Sequence, residues 1–208
     1  MSAVADSAPP PRVVLLLKAP RPGAVKTRLA ADLGPERAAR IYRALVERQL
    51  AAVPMEWATD VFYAPADAKA EVRAWLGPRP RMVAQTEGDL GARLETAVAD
   101  ALATGPGGVL VLGGDCPGLD AATLREAAVA LAAHDVVLGP ANDGGYYLIG
   151  LKAPRPELFR GIAWSTAQVL ASTVAKAEAG ACSVARLRTL DDVDTVQDWL
   201  RCERLFPD

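Results

Sequence analysis

Short apolar runs alternate with segments of helical spacing along this chain. Val13–Leu17 (VVLLL), Asp60–Ala64 (DVFYA), Val109–Leu112 (VLVL), Val136–Leu138 and Tyr146–Leu151 read as strands, with weaker ones at Arg81–Ala84 and Ser183–Leu187. Between them, Pro35 suits the first turn of a helix in which Ile41, Tyr42 and Leu45 share a face. Asp67–Leu76 predicts a short helix with Val72, Trp75 and Leu76 inward. Leu90, Leu94, Val98 and Leu102 repeat every four residues, which is a helix stripe. Asp120 or Thr123 is placed to cap a helix running to Ala133, and Thr166–Ala179 and Asp194–Cys202 complete the helical set. Near-continuous apolar strands in a β-α-β-α order predict a mostly parallel α/β sheet with helices on both faces. The stretch Asp143–Trp164 breaks the alternation and reads as an inserted β-rich part covering one side of a site.

The length, 208 residues with 51% hydrophobic residues, suits one domain over 13–208 behind a flexible tail at 1–12. The formal net charge of −2 gives no global basic field, so nucleic acid is not an expected partner. Cys116, Cys182 and Cys202 have no CxxC spacing and fit free thiols in a reducing compartment. The start, MSAVADSAPPPR, has no apolar signal-peptide core, and no segment is long enough to span a membrane. The cytoplasm is the expected compartment.

Ligands of open α/β sheets bind beyond the carboxyl ends of the strands. Two polar motifs fall at such ends. In KAPRPGAVKTRL, Lys18 directly follows a strand, Pro20 and Gly23 shape the loop, and Lys26 and Arg28 follow. Two of the chain's five lysines lie in this loop, and cations with free backbone N–H groups suit a polyphosphate. Neither GxxxxGK[ST] nor GxGxxG occurs. A solvated basic turn explains the composition equally well. In GGDCPGLD, Asp115 lies beyond VLVL beside Gly114, where a carboxylate can hold a hard cation such as Mg2+ or Mn2+, or simply close a turn. In GPANDGGYYLIG, Asp143 is either a turn residue or a second acid facing the same cleft, as metal ligand or base. Asp89 of EGDLGARL caps a helix or faces a ligand, and Ser165 and Thr166 of AWSTAQV cap one or bind phosphate. His134, the single histidine, ends an alanine-rich helix, so histidine-based triads are not expected.

KAPRPGAVKTRL, EGDLGARL, LGGDCPGLD, GPANDGGYYLIG, GIAWST and LRTLDDVDT, in that order, resemble a bacterial family of GT-A-type glycosyltransferases, sometimes linked to arsenosugar biosynthesis. The resemblance runs from about Val13 to about Leu200. It implies the Rossmann-like α/β sandwich of the nucleotide-diphospho-sugar transferase superfamily. The opening motif is also similar to that of the 2-phospholactate guanylyltransferases. The resemblance implies that Lys18, Lys26 and Arg28 face phosphates and that Asp115 binds metal. The chain is expected to lack the DxD motif of many GT-A glycosyltransferases, since GGDCP supplies one Asp.

Two reactions fit. In nucleotidyl transfer, the leading expectation, a small phosphorylated acceptor attacks the α-phosphorus of a nucleoside triphosphate, with Lys18, Lys26, Arg28 and a metal offsetting charge. The alternative is glycosyl transfer from a nucleotide sugar, with Asp143 as base. A third reading, a non-catalytic nucleotide-binding protein, is disfavoured by the coexistence of the cationic loop with Asp115 and Asp143.

Overall fold

A computed structural model describes residues 9–206. Residues 1–8 of the expected tail lie outside the described residues, and Arg12 is the first residue of a strand. Seven strands form one sheet: β1 (Arg12–Lys18), β2 (Thr59–Ala64), β3 (Arg81–Ala84), β4 (Val109–Leu112), β5 (Val136–Pro140), β6 (Tyr146–Leu151) and β7 (Val184–Arg186). Their spatial order is β3-β2-β1-β4-β6-β5-β7. Six strands run parallel, while β6 is antiparallel to both β4 and β5. Among the described residues no helix is long and apolar enough to cross a membrane.

The helices are α1 (Thr27–Leu33), α2 (Pro35–Ala52), α3 (Lys69–Leu76), α4 (Leu90–Leu102), α5 (Ala121–Ala133), α6 (Val169–Ala179) and α7 (Val196–Cys202). The strands bury both faces, so their side chains feed two apolar layers. Leu15 and Leu17 pack with Tyr42 and Val46 of α2, Val72 of α3 and Leu124 of α5. Val14 of β1 faces the other way, toward Leu94 and Val98 of α4 and Val174 of α6. Three helix starts are set by side chains: Asp89 accepts from Ala92 N–H, Asp120 from Thr123 N–H, and Thr195 forms a reciprocal capping box with Asp198.

Four expectations change. The β-rich stretch is no cover: β6 lies inside the sheet, where its apolar run YLIGL is buried between two strands. α1 is an additional helix. Seven residues following two prolines carry little periodicity, but Leu29 is fully buried in a small cluster with Ile41 and Leu45 of α2 and Trp199 of α7. α6 starts at Val169 rather than Thr166, because the Thr166 hydroxyl donates to Ala163 C=O in a preceding turn. α7 likewise starts after its Thr195 cap.

The order of strands determines where the site forms. The chain leaves β1 for β2 and β3 on one side, then returns to the other side of β1 with β4. The two polar motifs thus leave the carboxyl ends of adjacent parallel strands, at the point where strand order reverses.

At the opposite end of the sheet, the fully buried Asp60 accepts from Arg12 at 2.8 Å and from Arg81 at 2.7 and 3.0 Å. Removing the carboxylate leaves the partly enclosed Arg12 guanidinium without its counter-charge and Arg81 with only the half-exposed Asp100. Asp60→Ala is expected to cost about 3–5 kcal/mol of unfolding free energy in urea titrations. A change below about 1 kcal/mol would show that water satisfies both arginines.

Candidate functional site

Lys18 ends β1. The Tyr42 hydroxyl of α2 accepts from its N–H and donates to its C=O, both at 3.1 Å, which fixes the direction in which the loop leaves the sheet. Burial pushes the Tyr42 phenol up to about 12, so this clamp stays neutral and can donate at any working pH. The loop closes on Lys26, which adopts a left-handed backbone (φ 45°, ψ 50°) just before α1. That turn sends its side chain inward, where it is only 8% exposed. Lys26 Nζ donates to Asp115 Oδ2 at 2.9 Å and to Asp194 Oδ1 at 2.8 Å. Burial by itself lowers the Lys26 ammonium, but the charges of Asp115 and Asp194 outweigh it and hold the group above its ordinary value. Arg28 reaches Asp194 at 3.4 Å from the solvent side.

Asp115 leaves β4 through Gly113 and Gly114. A side chain at Gly113 would come within 3.2 Å of Asp115 Oδ1, and one at Gly114 within 3.2 Å of Leu17. The glycines thus give the carboxylate room beside the core. The segment LDDVDT then runs along the same ends: Leu190 N–H donates to Pro140 C=O and Val193 N–H to Asp115 C=O. This pairing brings Asp192 and Asp194 beside Asp115.

Three adjoining cavities make up the cleft. Lys18, Lys26 and Thr27 line two of them, of 270 and 600 Å³, with Asp115 and Tyr42 in the first and Arg28, Asp143 and Asp194 in the second. A third, of 310 Å³, carries Asp115, Asp143 and Asp192 on one side and Leu94, Ile149 and Trp164 among its apolar walls. Ser165 and Thr166 line both the 600 and 310 Å³ cavities. The Asp143 carboxylate accepts from Gly145 N–H at 2.8 Å, a turn contact, and still faces the cleft. Gly144 (φ 88°) takes a backbone form suited to glycine, and a Cβ there would lie 2.4 Å from Ala167 C=O.

Of the residues expected from sequence, Lys18, Lys26, Arg28, Gly114, Asp115, Asp143, Ser165 and Thr166 meet in this cleft. Pro20 and Gly23 do not line its cavities; Gly23 turns the exposed loop with φ 80°. Asp89 is a helix cap outside the lining. His134 ends α5, just before β5 begins, at the far end of the sheet. Asp192 and Asp194 were absent from the expected set. Their spacing was visible in the sequence as Asp192-Val193-Asp194, in the segment before α7 and away from the end of β4, where GGDCP supplies one Asp.

Asp192 is half-buried, and its Oδ1 is enclosed without a hydrogen-bond partner. Burial first, then the charges of Asp115 and Asp143, push its carboxyl up to about 8. The oxygen donors fit a hard divalent cation. Among the described residues no group of three carboxylate, thiol or imidazole side chains is arranged to hold a metal ion by itself.

Residues 46–166 match the family described as uncharacterized proteins conserved in bacteria (DUF2064). The fold class is that of the nucleotide-diphospho-sugar transferases. The chain belongs to the DUF2064 family within it. A protein of Desulfovibrio desulfuricans G20, provisionally named a nucleotide-diphospho-sugar transferase, is 36% identical, with TM-score 0.85 over 92% of this chain and 85% of that one. Rv0371c of Mycobacterium tuberculosis H37Rv, in complex with manganese, is 20% identical with TM-score 0.55 over 92% and 97% of the two chains. A nucleotidyl transferase of Methanothermobacter thermautotroptrophicus (Mth528) is 19% identical with TM-score 0.57 over 93% and 97%. At these identities the last two speak to the fold alone. No curated protein matches the chain.

The raised Asp192 group carries a stability signature. Unfolded, it ionises near the ordinary value of about 4; folded, it keeps its proton up to about 8. The native state therefore binds more protons between these values, and this group makes stability fall as pH rises from about 4 to about 8. Thermal melts in EDTA are expected to show Asp192→Asn with a flatter profile over that range and greater stability than the parent at pH 8. A variant that is less stable than the parent at every pH would contradict the assignment.

Proposed function

We propose that the chain is a divalent-metal-dependent, nucleotide-using transferase. The observation that carries this reading is the cluster in which Lys26 meets Asp115 and Asp194, with Lys18 and Arg28 on the same cleft. Lys26 is kept charged by its two carboxylates, so it meets phosphate as a cation throughout the neutral range. Asp115 would hold the cation, joined by Asp192 as the metal displaces its proton, with Asp143 beside them. Such a cation neutralises charge on phosphate oxygens. Three buried, unpaired cysteines support a reducing compartment such as the cytoplasm.

Nucleotidyl transfer is the first reading. An acceptor phosphate oxygen attacks the α-phosphorus, the bond to the β-phosphate breaks, and pyrophosphate leaves. Lys18, Lys26 and Arg28 provide the density of positive charge that a triphosphate needs. An acceptor phosphate is already ionised at neutral pH, so a cleft whose lining includes no histidine suffices. Glycosyl transfer from a nucleotide sugar is the second reading. The name of the 36%-identical relative favours it. There an acceptor hydroxyl attacks the anomeric carbon, the bond to the diphosphate breaks, and Asp143 or Asp192 takes the proton.

The products separate the two. Incubation of the full chain with Mg2+, nucleoside triphosphates and sugar phosphates is expected to release pyrophosphate. Release of free nucleoside diphosphate from nucleotide sugars would overturn the first reading in favour of the second. In either case Asp115→Asn should remain folded by circular dichroism and lose about 100-fold or more in turnover. Full turnover in that variant would remove Asp115 from the site.

A further inference from the structure

α2 grips the backbone of both polar motifs. Tyr42 holds Lys18 at its N–H and its C=O. About two turns further along the helix, Gln49 Nε2 donates to Cys116 C=O at 2.9 Å. The neighbouring Arg48 Nε donates to Pro117 C=O, also at 2.9 Å. Val193 N–H donates to Asp115 C=O at 3.0 Å. The carbonyls of Asp115, Cys116 and Pro117 are thus held in succession, each by a different donor. Cys116 C=O has one further contact, a long turn bond from Leu119 N–H at 3.4 Å.

Burial of Gln49 is unfavourable by itself. The residue is fully buried, and its Oε1 is enclosed without a hydrogen-bond partner. A buried amide oxygen left unpaired opposes folding, and an apolar side chain of similar length would remove that penalty. Packing alone gives no reason for an amide here. What the amide supplies is a short hydrogen bond to the carbonyl next after Asp115. The helix that delivers it is anchored on two sides. Tyr42 and Val46 belong to the apolar layer of Leu15 and Leu17, while Ile41 and Leu45 pack in the cluster of Leu29, which follows Lys26 in α1. One stiff helix therefore fixes the start of the basic loop, the turn of Lys26 and the turn of Asp115 relative to one another.

We infer that Gln49, assisted by Arg48, is a positioning residue: through the carbonyls after Asp115 it sets the place of the Asp115 carboxylate, and with it the affinity of the site for a divalent cation. Groups that orient a metal ligand from behind act on affinity without touching the ion. The inference rests on the reading that Asp115 holds the cation.

Mn2+ itself is the probe. Titration into the full chain, read by loss of the free-ion electron paramagnetic resonance signal, gives the affinity. Asp115→Asn identifies the site and is expected to weaken binding about tenfold or more. Gln49→Met preserves length and removes the amide. It is expected to bind Mn2+ about tenfold more weakly than the parent. Its melting temperature in EDTA should move by about 4 °C or less, because losing a donor and losing an unpaired oxygen act in opposite directions. Asp60→Ala, at the opposite end of the sheet, is the converse control: it should be less stable and bind Mn2+ like the parent. If Gln49→Met does not fold, Arg48→Met decides, since that side chain is partly exposed, and it too should bind more weakly than the parent. Parental Mn2+ affinity in the folded variant, with binding lost in Asp115→Asn, overturns the inference and leaves the metal reading standing. An equal loss in Asp60→Ala, which would make affinity a consequence of stability, overturns it as well. A parent that binds no Mn2+, or undiminished binding in Asp115→Asn, overturns the metal reading and the inference with it.

Discussion

The site depends on one constraint: a lysine ammonium enclosed between two carboxylates. Lys26 is drawn inward by a left-handed turn and held by Asp115 and Asp194, which come from the end of β4 and from the segment before α7. An enclosed ammonium without those partners would lose its charge or stay out in water. Two carboxylates without the ammonium would repel each other. The three chain segments are therefore held at one place by electrostatics as well as by backbone pairing between Val193 and Asp115. The same arrangement gives the cleft its division into a basic part and an acidic, apolar part.

The topology makes the constraint possible. β1 and β4 are neighbours and parallel, so loops far apart in sequence leave the sheet side by side. Inserting β6 antiparallel between β4 and β5 then lets Asp143 and the Gly144 turn open onto the same end. The 36%-identical Desulfovibrio desulfuricans G20 protein shares this architecture over most of both chains.

Much of this was legible in the sequence. The strands Val109–Leu112 and Tyr146–Leu151 and the helix Leu90–Leu102 fall where apolar spacing placed them, since each has a strong periodic or continuous apolar signal. The parallel order was legible because buried strands show no alternation. The placement of β6 was not, because an apolar strand reads alike whether it is central or inserted. α1 was hidden because its single fully buried residue, Leu29, gains its burial from α2 and α7, not from its own pattern. Asp115 and Asp143 were legible from the glycines around them. Asp192 and Asp194 were overlooked although their spacing was visible, because their meaning comes from a long-range pairing with Asp115 that no local pattern reports.

The central claim is that this charged cluster receives metal and nucleotide together, and calorimetric titration of nucleoside triphosphates and nucleotide sugars into the intact protein tests it most directly. Binding in Mg2+ or Mn2+ that weakens about tenfold or more both in EDTA and in Lys26→Met would bear the account out. Affinity that is unchanged by chelation and by loss of the Lys26 ammonium, or no binding under any metal condition, would contradict it.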